Sequence, residues 1–166
     1  MPSLQIFFSL LYVLQKERGA QMNEKYDLVE TAHQAGNFRL FLQALEAAGL
    51  KDTLRETGPY TIFAPVDDAF LKIPQTRLYD LFKTENRESL QSLLRNHITA
   101  GKLLSKELKE HDEVSSMNAE DLRIESRAGL WINDAQVVTG DLKASNGVLH
   151  GIDAVLMPQT QVAAAR

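Results

Sequence analysis

Cysteine is absent from the whole chain. Its absence excludes disulfides, thiolate metal sites and a cysteine nucleophile, but leaves the compartment open, because secreted proteins of this size can do without disulfides. Runs of Lys or Arg are also missing. With a net charge of −4 and a pI near 5.6, the surface offers no basic footprint for nucleic acid and no attraction to an acidic membrane. The loops G-x-G-x-x-G and G-x-x-x-x-G-K that present backbone amides to phosphates do not occur, nor does the G-x-S-x-G turn of many serine hydrolases. No apolar run is long enough to span a membrane. The longest, Leu4 to Leu14 (L-Q-I-F-F-S-L-L-Y-V-L), has the length of a signal-peptide hydrophobic region. Its flanks do not fit one. No Lys or Arg precedes it, Lys16, Glu17 and Arg18 follow it, and cleavage after Ala20 would put Arg18 where a small residue belongs. Residues 1–23 therefore read as an appended extension. It reads as a poor signal-peptide candidate, as a helix that packs on the domain or on a second copy, giving self-association, or as sequence upstream of a start at Met22.

What is present is an ordinary globular composition, 44% hydrophobic and 24% charged over 166 residues, enough for one domain with a real core. No repeat or linker divides it, so residues 24–158 read as one domain and 159–166 as a tail. The first half carries helical spacing. Leu28, Val29 and Ala32 form one face ending at Gly36; Asn37 looks like the N-cap of a second helix with Phe38, Phe41, Leu42 and Leu45, closed by Gly49. Tyr60 to Phe63 reads as a strand ended by Pro65, and Asp67-Asp68 suit the positive end of the short helix that follows. Further helices carry Leu78, Leu81 and Phe82, then Leu90, Leu93 and Leu94, and a short one is capped by Ser105. Beyond residue 113 short strands take over, at Val114–Ser116, Leu122–Glu125, Leu130–Ile132 and Gln136–Val138, with turns at Asn133-Asp134 and Thr139-Gly140. Helices first and strands later predict an α+β fold.

Asn146 to Pro158, N-G-V-L-H-G-I-D-A-V-L-M-P, reads as a hairpin turn feeding a central, largely buried strand up to Met157, with Asn146-Gly147 in the turn. At period two His150 shares a face with Val148 and Ile152. The expectation is a core imidazole with both ring nitrogens hydrogen-bonded, not a general base, since burial there leaves no room for substrate. Asp153 is on the opposite face, so it does not orient that ring. His97 sits at a helix-to-strand junction and reads as structural. His33 reads as a surface residue. Glu110-His111-Asp112-Glu113 carries metal-ligand types, but four consecutive side chains do not converge on one ion, and a solvated turn is the simpler reading. Trp131 is the sole tryptophan, equally suited to an exposed contact or to packing at a sheet edge. No catalytic residue, metal or cofactor is expected.

Three blocks in this order resemble the fasciclin-domain family: Tyr60 to Phe70 (Y-T-I-F-A-P-V-D-D-A-F); Asn96-His97-Ile98; and W-I-N-D-A-Q-V-V from Trp131, followed by Asp141-Leu142 and the Asn146–Pro158 stretch. The resemblance marks Thr61, Phe63, Pro65, Asp67, Phe70, Asn146, Gly147, His150, Asp153 and Pro158 as structural positions. It implies a wedge of two β-sheets with helices packed along it, mainly from the N-terminal half, and a non-enzymatic adhesion-type module. Such a module would be extracellular, periplasmic or at a cell surface, binding a surface protein, a matrix polysaccharide or another copy of itself. Some animal members bind integrins through a tyrosine-histidine segment and an aspartate-isoleucine pair, which fall here on Asn96-His97 and Asp141-Leu142. Asn96 replaces the aromatic residue and Leu142 the isoleucine, so integrin binding is not implied. Val66 stands where threonine is usual, leaving Asp67 to cap the helix. Candidate partner contacts are Asn96, His97, Ile98, Asp141, Leu142 and Trp131, and Asp141→Ala is expected to weaken binding without lowering the melting temperature. The alternative expectation is a small-molecule binder or enzyme with a pocket near His97.

Overall fold

The computed structural model describes residues 26–56 and 58–157. The extension 1–23, with Leu4 to Leu14 and Met22, lies outside the described residues, as do Pro158 and the tail 159–166.

Helix α1 (Leu28–Ala35) starts where the Asp27 carboxylate accepts the Glu30 N–H at 2.8 Å and stops at Gly36, whose φ of 84° favours glycine. Helix α2 (Arg39–Ala48) closes at Gly49 in the same way. Its N-terminus corrects two expectations. Asn37 does not cap α2 with its side chain, and Asp67 does not cap its own short helix α3 (Asp67–Phe70). Asp67 Oδ1 instead accepts the Leu40 N–H at 2.9 Å, and the Asp67 N–H donates to Asn37 O at 2.9 Å. A carboxylate from a distant corner thus supplies the acceptor that the first turn of α2 needs. Helices α4 (Gln75–Leu81) and α5 (Arg87–Arg95) follow, and α6 (Ser105–Leu108) is a single turn.

The seven strands are β1 (Tyr60–Pro65), β2 (Ile98–Ala100), β3 (Glu113–Ser115), β4 (Asp121–Ser126), β5 (Leu130–Ile132), β6 (Ala135–Ala144) and β7 (Gly147–Ile152). Their order is β2-β1-β7-β6-β5-β4-β3. Only β1 and β7 run parallel, and every other neighbouring pair is antiparallel. The Met117 N–H at the end of β3 donates to Ile98 O on β2 at 2.7 Å, so the two ends of the order approach one another and the sheet almost closes. The expected α+β architecture holds, and α1–α5 all precede β2. The two arms of the wedge join through β6, which pairs with β5 at Ala135-Gln136 and with β7 beyond.

Two apolar cores explain why the central strands are buried on both faces. Ile62, Ala64 and Leu149 face the helices with Phe41, Leu45, Leu93 and Leu94. Phe63 and Ile152, one residue out of phase, face an inner cluster with Leu108, Leu122, Ile132 and Leu156. Pro65 and Phe70 are buried at the adjoining corner.

Two strand boundaries differ from expectation. Strand β7 ends at Ile152, not Met157. Asp153 N–H donates to Gln136 O at 3.0 Å while its carboxylate accepts the Gln136 N–H at 2.8 Å, which turns the chain out of the ladder. Strand β6 continues to Ala144 through the Thr139-Gly140 turn signal, because register shifts at Val137/Thr139 and Thr139/Leu142 absorb the extra residues as bulges. Asp141 lies there with a φ of 59°.

The hairpin turn is Ser145-Asn146, one residue earlier than expected, with Ala144 opposite Gly147. Gly147 is required because a Cβ there would meet the Tyr60 carbonyl oxygen. Asn146 acts through its side chain: Oδ1 accepts the Leu28 N–H at 2.9 Å, and Nδ2 donates to Leu54 O at 2.6 Å and Glu56 O at 2.9 Å. One amide thereby ties α1 and the turn before β1 to the β6–β7 hairpin.

Candidate functional site

The polar side chains singled out by sequence gather into two clamps. The first forms where α5 ends. His97 Nδ1 lies 2.7 Å from Leu93 O, and Nε2 lies 2.9 Å from the Leu156 N. A carbonyl only accepts and an amide only donates, so the proton is on Nδ1 and Nε2 is the acceptor. Asn96 Nδ2 donates to Leu156 O at 3.0 Å, and its Oδ1 accepts from Ser116 Oγ at 3.0 Å. Both peptide groups of Leu156 are thus held, and the segment after β7 is fixed against the helical end. Asn96 is 0% exposed, His97 1% and Ile98 2%. As direct contact residues these three are corrected, since no partner reaches them without opening the core. Burial pushes the His97 imidazole down to about 4, against the pull of Leu93 O.

The second clamp holds residues 101–105. Thr61 Oγ1 on β1 donates to Gly101 O at 2.7 Å and accepts the Leu103 N–H at 2.8 Å. His150 on β7 donates from Nε2 to Leu103 O at 2.8 Å, and its Nδ1 accepts the Asp141 N–H at 3.2 Å. Asp141 on β6 accepts from the Ser105 N–H at 2.7 Å and from Ser105 Oγ at 2.6 Å. Three neighbouring strands therefore each contribute one side chain to one loop. His150 is fully buried and stacks on Phe63 with centroids 5.9 Å apart. Its neutral form is favoured, because burial outweighs the Leu103 carbonyl and the Asp141 charge and lowers its pKa below the usual value.

Serine, histidine and aspartate meet here, but their bonds run in the wrong order for nucleophilic catalysis. The serine hydroxyl donates to the carboxylate, and the ring nitrogens of the imidazole bond main-chain groups only. Neither histidine keeps a ring nitrogen for a substrate. A cleft of about 400 Å³ lined by Arg123, Asn133, Asp134 and residues 154–157 reaches Leu156 but does not include His97 in its walls. Among the described residues no group of three or more Asp, Glu or His side chains is placed to hold a metal ion. Glu110 to Glu113 are all exposed. His33 is exposed as well.

Asp141 itself is exposed although its carboxylate is engaged, and Leu142 is half-buried against the helical core. Partial burial works against the charged form of Asp141. The Ser105 hydrogen bonds, with His150 and Lys143, outweigh it and hold the carboxyl below its usual range. These bonds argue against the expectation that Asp141→Ala spares the melting temperature, because Asp141 supplies, from another strand, an acceptor for the first residue of α6. Trp131 is half-buried on β5, donates from Nε1 to Arg127 O at 2.8 Å, and has the Arg127 guanidinium 5.0 Å from its ring centre. It stands opposite Gln136, and Val138 on β6, in the register shift between Val137 and Thr139, is 53% exposed. Sequence reasoning missed Ser116 and Arg127 as partners, because neither belongs to a local pattern. It also missed the exposed Leu71 and Tyr79. Tyr79 was legible as the apolar residue off the Leu78–Leu81–Phe82 stripe.

Comparison with known proteins places these features. The family model described as Fasciclin domain matches residues 36–158. Protein sll1483 of Synechocystis sp. is 36% identical over 132 residues, covering 79% of this chain and 73% of that protein. The cell surface glycolipoprotein MPB83 of Mycobacterium bovis is 35% identical over 113 residues, 68% of this chain and 49% of that protein. Among solved structures, a FAS1 domain pair from the insect cell adhesion molecule Fasciclin I superposes with a TM-score of 0.71 at 19% identity, covering 82% of this chain and 52% of that one.

Proposed function

This chain belongs to the fasciclin domain family, and from that premise we propose that it is a non-enzymatic adhesion-type module that binds a macromolecular partner at a cell surface or outside the cytoplasm. The observation that carries the reading is the state of the two buried histidines, His97 and His150: each of their ring nitrogens is taken by a main-chain group, so the residues best suited to chemistry hold loops in place. Relatives named as a cell surface glycolipoprotein and a cell adhesion molecule support it. Among the described residues no helix is long and apolar enough to cross a membrane.

The contact face we assign is the solvent-exposed part of β5–β6, with Trp131, Val138 and Asp141, and with Leu142 at its half-buried edge. Its occupant is a surface protein, a polysaccharide or another copy of the chain. Contacts on so small a face are weak singly and become effective when copies are clustered. Beads coated with the purified chain at rising density should adhere to cells of the source organism above a threshold density. Val138→Asp, at an exposed position, should abolish adhesion while leaving the fold intact. Adhesion unchanged by Val138→Asp together with Trp131→Ala would remove this face. Turnover of a metabolite that is lost on replacing one histidine in a still-native variant would remove the non-enzymatic reading. Residues 1–23 are a separate proposed self-association element, and equal masses by light scattering for the full chain and for one starting at Met22 would eliminate it.

A further inference from the structure

We propose that His150 and Ser105 compete for the Asp141 carboxylate, so that acid moves this carboxylate from Ser105 to the imidazolium and frees the start of α6. The geometry sets up two exclusive arrangements. In the neutral state His150 Nδ1 is an acceptor for the Asp141 N–H at 3.2 Å, and the Asp141 carboxylate is turned to the Ser105 N–H and hydroxyl at 2.7 and 2.6 Å. A proton added at Nδ1 makes it a donor, so it can no longer accept the Asp141 N–H. The nearest anion able to receive the new N–H is the carboxylate of the same residue. Rotation towards His150 gains a charge-assisted hydrogen bond in a partly buried site and gives up both bonds to Ser105.

The surroundings favour a switch over simple collapse. From β1 the imidazole meets the neutral Phe63 ring, from the loop the Leu103 carbonyl, and from β6 the Asp141 amide and charge. Asp141 is the charged group that faces it, while Lys143 acts on the Asp141 carboxylate. Asp141 lies at φ 59° within the register shift between Thr139 and Leu142, where strand pairing does not fix the backbone. The loop keeps its Thr61 anchors in either state, so the change is confined to Ser105 and the turn of α6. Because the His150 pKa is lowered and that of Asp141 is lowered too, the window opens below pH 6.5 while the carboxylate is still ionised. The device stands whether or not the Asp141-Leu142 edge is a contact face.

The test is an NMR titration of the full chain from pH 7.5 to 5, following the His150 ring and the Ser105 and Asp141 amides. The Ser105 amide should shift and lose exchange protection with the midpoint of His150, and His150→Gln should remove that midpoint. Should the Gln variant not fold, Ser105→Ala supplies the second reading: with the competing hydroxyl gone and only the residue 105 N–H left on the carboxylate, the His150 midpoint should rise by about 0.5 pH unit, a roughly threefold change in proton affinity. A His150 ring that stays neutral down to the acid limit of the folded state, a Ser105 amide that stays put while His150 titrates, or a midpoint unmoved by Ser105→Ala overturns the proposal.

Discussion

Lowering the pH should destabilise this domain through His97, and the size of the effect can be worked from its burial. The folded imidazole is held at about 4 against 6.5 for an unperturbed one. With the folded value depressed, the unfolded chain takes the proton first. Stability is therefore complete above pH 6.5, declines as pH falls through 6.5, and levels off below about 4. The whole shift corresponds to about 3 kcal/mol. At pH 5 the unfolded imidazole is almost fully protonated and the folded one only about one-tenth, so about 2 kcal/mol of the loss falls between pH 7 and pH 5. Urea titrations with a slope of about 2 kcal/mol per molar would show the midpoint falling by about 1 M over that interval. His97→Gln removes the titrating group. Other groups contribute in both proteins, so the decisive quantity is the difference in pH dependence, which should be about 2 kcal/mol smaller in the variant. Parallel profiles for the two proteins, or a His97 ring that titrates near 6.5 by NMR in the wild type, would refute the reasoning.

Asn146→Ala removes three hydrogen bonds to two separate segments, so it should cost about 2–4 kcal/mol by chemical denaturation and raise amide exchange at Leu28. Gly147→Ala places a methyl against the Tyr60 carbonyl oxygen; a loss of at least about 3 kcal/mol, or failure to fold, is expected. Asp67→Ala should destabilise by about 1 kcal/mol through α2, with the larger exchange effect at the Leu40 amide and not within α3. Asp141→Ala should also cost about 1 kcal/mol through loss of its bonds to Ser105, lowering the melting temperature by about 2–4 °C.

The sequence alone determined the elements whose signals are local. Apolar spacing marked the helices of the first half, αL glycines closed α1 and α2 at Gly36 and Gly49, and alternating apolar residues marked the short strands from β3 to β5. It also placed His150 in a buried row, because a two-residue period decides which neighbours share its face. Tertiary structure decided everything that required a partner distant in sequence. Asp67 caps α2 and Asp141 caps α6, since a carboxylate satisfies whichever amide the fold brings near it. Asn146 secures three segments by hydrogen bonds that no turn propensity encodes. Strand β7 ends at Ile152 because Asp153 and Leu156 are claimed by Gln136 and by the Asn96-His97 pair. Local pattern reports the conformation a segment prefers, whereas a buried polar side chain is assigned its role only when folding removes water and leaves the nearest main-chain group as its partner.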